Sequence, residues 1–445
     1  MLSKTISSDY VIIGAGAMGL AFADTLFHED PKAHIVIVDK RAKPGGHWVD
    51  AYPYVTLHQP AAAYGVNSSE LGTGGSDLSS HAEIIFYFEQ ALKKLVSSGR
   101  VTFLSQCICE DMNTNEVSVQ SLLDSDTSYK ININKKLVDA TYMNVKVPAT
   151  HPPKYTIDAK LTLIPPNGLA KNHRPWDQYT IIGAGKTGID AALFLIDSGV
   201  SADKIQWIVS NDMWLWNRAK VQTDNVIEEL VKQIKTLKSS TSINDIFLQL
   251  ETLGSMFRLD ADNMPKKWRC ATVSPEEFLQ LKTIKNLVRL GRVKEITQNE
   301  IRLDNGSIPT NSSNLHIDCS ANGLEQRPPT AIFEGKRITL QSVFMCQQVF
   351  SAAVIAKLET LSMSDERRNN MWQVVPHPEF VEDFPEGLVQ SLENTIRANK
   401  AIPWWLMKCR LNIMSHLPLP QYLVASIRAI MVTRGSRQAL KNIEA

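Results

Sequence analysis

Two glycine triplets and one acidic residue carry the clearest chemistry in this chain. Gly14, Gly16 and Gly19 stand at GxGxxG spacing, and Gly183, Gly185 and Gly188 repeat it 169 residues later. Such a triplet suits a pyrophosphate. The first glycine allows a tight turn, the second lets backbone approach the phosphates, and the third lets a helix pack on the preceding strand. The helix N-terminus then offers free N–H groups and a positive dipole end to the anion. Ala17 and Met18 lie within the first turn, Lys186 and Thr187 within the second. Asp39, 20 residues after Gly19, stands where a carboxylate holds a ribose diol, with Lys40 next to it.

A lone GxGxxG is weak evidence, so the flanking elements matter. The apolar run Asp9–Ile13 reads as a buried parallel strand. Leu20, Phe22, Ala23, Leu26 and Phe27 mark an amphipathic helix, and His34–Asp39 a second strand. The order restarts with Tyr179–Ile182, a helix over Ile189–Leu195 and the strand Ile205–Val209. Two complete motifs predict two dinucleotide sites. The second lacks an acid at its strand end. Asn211 or Asp212 is placed for a ribose there, and Arg218 and Lys220 for a 2′-phosphate.

A further candidate region follows the first motif. Gly46, His47 and Trp48 form a glycine turn with an aromatic, which suits backbone wrapping over a flat ligand. Tyr52–Pro60 crosses the same region and brings His58 and Gln59 beside it.

The rest of the chain must position these groups. Its 445 residues suggest roughly two to four domains. A formal net charge of +1 argues against a nucleic-acid partner. No apolar run reaches the roughly 18 residues of a spanning helix. Met1–Ser8 lacks a basic region followed by an apolar stretch, so no secretory leader is expected and the chain reads as cytoplasmic. The six scattered cysteines then read as reduced, mostly buried thiols, and Cys107-Ile108-Cys109 lacks metal-site spacing.

Ser80–Ser98 reads as an amphipathic helix, 116–123 and 129–147 as an antiparallel excursion, and the proline-rich 148–177 as a linker. Residues 222–260 read as a helical insertion. Ser274-Pro275-Glu276-Glu277 has the residues of a capped helix start. Leu315–Gly323 is expected to return the chain to the first domain. The resulting expectation is an α/β protein with two Rossmann-like domains. Residues 1–147 and 315–362 form the first, 148–314 the inserted second, and 363–445 a basic helical segment.

From residue 397 onward eight Lys/Arg face one Glu, a charge of +7, together with Trp404 and Trp405. Such a segment suits either peripheral contact with an anionic membrane or a helical cap docked on the core or on a partner in a homo-oligomer.

GAGAMG with Asp39, the GGHW turn, the YPYVTLHQP segment and a second GAGKTG together resemble the two-dinucleotide-domain flavoproteins. The nearest branch is the flavin-containing and Baeyer–Villiger monooxygenases. The resemblance covers residues 9–60, 178–220 and 315–360. It implies FAD on Gly14, Gly16, Gly19 and Asp39, with Gly46, His47, Trp48, His58 and Gln59 approaching the flavin. It implies NAD(P)H on the second motif, and a small organic substrate and O2 as partners. His58 and Gln59 would then stabilise the anion formed during oxygen transfer. The chain departs from that family in two places. Residues 140–182 carry no FxGxxxH fingerprint, and no arginine pair stands at Ser210-Asn211. Neither CxxxxC nor CxxC occurs, which argues against the disulfide reductases of similar architecture. Two other readings stand beside the monooxygenase: an FAD-dependent dehydrogenase or oxidase without NAD(P)H, and a non-enzymatic nucleotide-bound scaffold.

Overall fold

The computed structural model describes residues 2–74 and 77–444. β1 (Leu2–Ile13) enters the first glycine turn, α1 (Ala17–Glu29) leaves it, and β2 (Ile35–Asp39) pairs parallel to β1. The five residues of β2 are all buried, as expected of a parallel strand covered on both faces. α2 (His81–Ser97) follows, its N-terminus closed by a reciprocal Ser80–Glu83 capping box. β3 (Val101–Ser105) then adds to the free edge of β2.

β4 (Cys107–Cys109), β5 (Glu116–Ser121) and the long β6 (Thr127–Asp139) form the antiparallel excursion. β6 also runs parallel to β1 along its length, so one strand belongs both to the excursion and to the parallel sheet. Arg337–Thr339 pairs parallel to the far edge of β6, and Phe333–Glu334 pairs antiparallel outside it as the last strand of this sheet.

The second sheet is a five-stranded parallel one, ordered 286–288, 205–208, 178–182, 314–318 and 162–164. Two expectations are corrected by this pairing. Asn314–Asp318 is a central strand of the second sheet, bonded to 178–182 and 162–164, and does not return the chain to the first unit. The return comes later, with Arg337–Thr339. The proline-rich stretch is more than a linker, since 162–164 forms a sheet edge and 156–157 pairs with 293–296.

α3 (Lys186–Asp197) leaves the second glycine turn. α4 (Val226–Ser239) and α5 (Ile243–Thr252) form the helical insertion. α6 (Pro275–Leu281) starts with the expected Ser274–Glu277 capping box. α7 (Gln348–Glu359) is buried nearly throughout and packs along α1. The chain ends in α8 (Asp365–Met371), α9 (Asp383–Ala401), α10 (Pro403–Lys408), α11 (Leu419–Thr433) and α12 (Ser436–Glu444).

The terminal helices dock on the core. Arg410 donates to the backbone oxygens of Ala62, Tyr64 and Val66. Arg437 pairs with Glu386 and Glu393 of α9. Among the described residues no helix is long and apolar enough to cross a membrane.

Candidate active site

Both glycine turns have the shape their spacing predicts. Gly14 sits at φ 107° and Gly183 at φ 114°, in the left-handed region open to glycine. A Cβ on Gly19 would lie 2.0 Å from the Gly14 carbonyl oxygen, and one on Gly188 2.1 Å from that of Gly183. The helices therefore pack on their strands only because these residues lack side chains. α1 and α3 both begin at a glycine N-cap without a side-chain cap, so their terminal N–H groups are left for a ligand. A Cβ on Gly185 would meet nothing within 4 Å, which leaves open space over the second turn. On the first turn, Gly46 packs against Gly16: a Cβ on Gly46 would come within 2.9 Å of the Gly16 Cα.

The buried Asp39 accepts hydrogen bonds from the Ala15 N–H and the Arg41 N–H, each at 2.7 Å. Its carboxylate thus holds the glycine turn in shape. Its remaining lone pairs are free for a ribose. Lys40 is exposed at the strand end.

The GGHW turn departs from expectation. Gly46–Asp50 forms a 3-10 turn, and Trp48 is a core residue. Its indole N–H donates to the Tyr64 hydroxyl at 2.8 Å. The ring packs edge-on against Tyr64 within the core of the first unit. His47 is half-buried, and burial beside the Arg41 guanidinium pushes its pKa down to about 4.

The segment after it ties the two units together. The Tyr52 hydroxyl donates to Asp190 on α3 at 2.6 Å, and Asp190 also pairs with Lys186 of the second turn. Tyr54 stacks on Phe194 with ring centroids 4.1 Å apart. His58 follows at the seam. Its carbonyl accepts from the Thr272 hydroxyl at 2.6 Å, while its Nδ1 is buried without a partner. Burial, then the Lys186 and Arg218 charges and His377, push its pKa down to about 3, so the ring is neutral near pH 7. Gln59 is half-buried beside it.

Two of the groups proposed for the second nucleotide, Arg218 and Asp212, are otherwise engaged, while Lys220 is half-buried beside them. Arg218 is buried and forks onto Glu277 at 2.9 and 2.7 Å, so it is not free for a 2′-phosphate. Asp212 is paired with Arg289 at 2.8 and 3.0 Å, away from any ribose role. Thr187 remains half-buried in the turn. Lys186, held by Asp190, is the cation nearest the turn in sequence.

One sulfur pair gave no sign of itself in the sequence: Cys270 and Cys346, 76 residues apart, are brought together with their Cα atoms 6.6 Å apart. Cys107, Cys109, Cys319 and Cys409 are unpaired. Tyr52, Asp190, Thr272 and His377 were also not legible as site residues, because each gains its role from a partner at least 138 residues distant or from burial alone.

Residues 12–67 match the family model of the NAD(P)-binding Rossmann-like domain. The chain is 38% identical to Uncharacterized protein Rv2000 of Mycobacterium tuberculosis over 436 residues. That alignment covers 94% of this chain and 80% of the mycobacterial protein. Uncharacterized protein Mb2023 of Mycobacterium bovis matches equally. This chain belongs to their family. The family's fold is also visible at low identity in solved structures. A polycyclic ketone monooxygenase from Thermothelomyces thermophila aligns with a TM-score of 0.54 at 11% identity, over 100% of this chain and 88% of that one. An open form of cyclohexanone monooxygenase gives 0.53 at 12% identity, over 90% and 98%. The two-unit fold of these monooxygenases is thus the fold of this chain.

Proposed function

We propose that this chain is an FAD-dependent oxidoreductase that takes hydride from NAD(P)H and, with O2, oxygenates a small organic substrate. The observation that carries the reading is the pair of uncapped helix N-termini on successive glycine turns, clamped together by Tyr52–His58. The residues fit two dinucleotides. FAD would be held by Gly14, Gly16, Ala17, Met18, Gly19, Asp39 and Gly46, and NAD(P)H by Gly183, Gly185, Lys186, Thr187 and Gly188. Bound flavin supplies the electron chemistry between nicotinamide, oxygen and substrate.

The chain supplies placement and protons. Tyr52 and Asp190 fix Lys186 and so the approach of the second nucleotide. His58 brings a neutral imidazole with an unsatisfied nitrogen to the seam, able to hold a proton at one ring nitrogen and accept one at the other. Gln59 adds an amide beside it.

A second reading draws on Arg218. With that guanidinium spent on Glu277, recognition of a 2′-phosphate loses its best cation, which favours NADH or a dehydrogenase or oxidase that leaves the second site empty. Purified protein mixed anaerobically with NADH and with NADPH separates the readings. Rapid bleaching of a bound flavin supports the first. A flavin that neither nucleotide reduces supports the second, and a protein that takes up no FAD leaves only the scaffold.

The C-terminal helices add a surface. Leu419, Leu423, Val424, Ile427 and Met431 expose an apolar stripe on α11, near the basic Arg428 and Arg434. This stripe is our candidate for peripheral contact with anionic lipid.

A further inference from the structure

We propose that Cys270, Cys346 and His377 together bind one Zn2+ ion. Its binding does not depend on a bound flavin.

One ligand atom from each residue lies within 4.8 Å of the other two. No other three His, Cys, Asp or Glu side chains among the described residues come together in this way. Tetrahedral Zn2+ holds sulfur at about 2.3 Å and imidazole nitrogen at about 2.0–2.1 Å, which sets its ligand atoms about 3.5–3.8 Å apart. With the Cα atoms 6.6 Å apart, rotation about each Cα–Cβ bond opens the touching sulfurs to that spacing. Nδ1 of His377 is closed off from solvent and has no hydrogen-bond partner. A buried nitrogen left without a partner is a vacancy that a metal ion fills. Two thiolates and an imidazole select Zn2+ over the hard Mg2+ and Ca2+. The two thiolates also cancel the charge of the ion, which suits a site where Cys270 is buried and its partners are half-buried.

The three ligands come from separate elements, each held by its own backbone. Strand Lys267–Val273 bulges at Cys270: the step from Trp214 to Trp216 on the neighbouring strand faces the longer step from Trp268 to Thr272. A bulge re-aims a side chain out of the strand's alternation, and Cys270 takes φ 58° within it. Cys346, at φ 60°, stands in the turn just before α7. His377 is fixed from both sides. The Val375 N–H donates to the Ser342 carbonyl at 2.8 Å, and the backbone of 379–381 bonds to that of 266–268, next to the strand of Cys270. The His377 carbonyl also accepts from the Gln326 amide at 3.1 Å. Ligands held in place beforehand lose little freedom when the ion arrives.

Three protein ligands leave a fourth position for water. His377 lines a cleft with Tyr142, Gln341 and Ser342, which gives that water a way in. Binding forms two Zn–S bonds and releases two thiol protons to solvent, and no electrons move. The ion thereby staples the strand of Cys270 to the head of α7 and to the segment carrying His377.

Elemental analysis of the full chain, purified under reducing conditions without chelator and then desalted, should find about one zinc per chain. Reduced, zinc-free protein titrated with Co2+ should gain the visible bands of a tetrahedral thiolate site, at wavelengths beyond flavin absorption. Added Zn2+ should bleach them. His377→Gln and Cys346→Ser, each checked for a cooperative melt, should lose the zinc. Cys109→Ser, which removes a half-buried free thiol, should keep it. Stripping the ion from the native protein should expose Cys270 and Cys346 to Ellman's reagent and lower Tm. Where a variant does not fold, the Co2+ titration of the wild type decides alone. Protein with all six thiols reduced that holds no zinc and gains no Co2+ bands overturns the site. Zinc retained by both folded variants overturns it as well.

Discussion

Gly19 and Gly185 occupy equivalent-looking motifs yet answer to different demands. Gly19→Ala places a Cβ against the Gly14 carbonyl, so the helix must leave its strand. We expect a loss of about 2–4 kcal/mol in urea unfolding, together with loss of FAD on gel filtration. Gly185→Ala enters open space. Its unfolding midpoint should match the wild type, while its KM for the nicotinamide nucleotide rises several-fold. His58 makes a second residue-scale prediction. Its folded pKa, about 3, lies below the unfolded value of about 6.5, and His47 and His377, at about 4, behave alike. The unfolded chain therefore binds protons that the folded one refuses. The stability withheld by these histidines is absent above pH 6.5 and grows as pH falls from there toward 4, by up to about 1.4 kcal/mol per pH unit for each. Thermal melts from pH 7.5 to 5 should show a falling Tm, and His58→Asn should flatten the slope. An unchanged slope in the variant would remove His58 from this role.

At the scale of elements, the decisive contact is the clamp between the Tyr52–His58 segment and α3. Tyr52→Phe leaves Oδ2 of the buried Asp190 without its donor, while Lys186 stays on Oδ1, and this costs about 1–3 kcal/mol. Because Asp190 also holds Lys186, the same substitution should raise KM for the nicotinamide nucleotide more than it lowers kcat. Equal effects on both would show that the clamp serves stability alone. The helix starts at α2 and α6 were legible because a capping box is a local pattern. The place of strand Asn314–Asp318 was not: an apolar strand reads the same in either sheet, and only its pairing with 178–182 and 162–164 decides.

For the whole molecule, the basic tail has two faces. Arg410 and Arg437 are spent on the body of the protein, so removal of residues 397–445 should yield unstable or insoluble protein. Arg410→Ala alone should lower stability by about 1.5–3 kcal/mol, since one charged donor serves three carbonyls. The outer stripe of α11 is separable from this. Replacing Leu423, Val424 and Ile427 with Ser should leave the fold intact and abolish flotation with anionic liposomes. Flotation equal to that of the wild type would discard the membrane contact.

The amino-acid sequence by itself determined two glycine turns between strand and helix, their order, the helical insertion and the helical tail. These follow from short-range rules: a glycine at a fixed spacing, a buried apolar strand, a capping residue. It also singled out His58, though not what surrounds it. Only the tertiary structure decided that Trp48 belongs to the core, that Arg218 is spent on Glu277, and that Tyr52 reaches Asp190 across 138 residues. It alone brought Cys270 to Cys346. A charge or a sulfur carries no local sign of its partner. Which cation stays free, and which thiol meets another, is set by how two sheets are packed and not by the residues on either side in the chain.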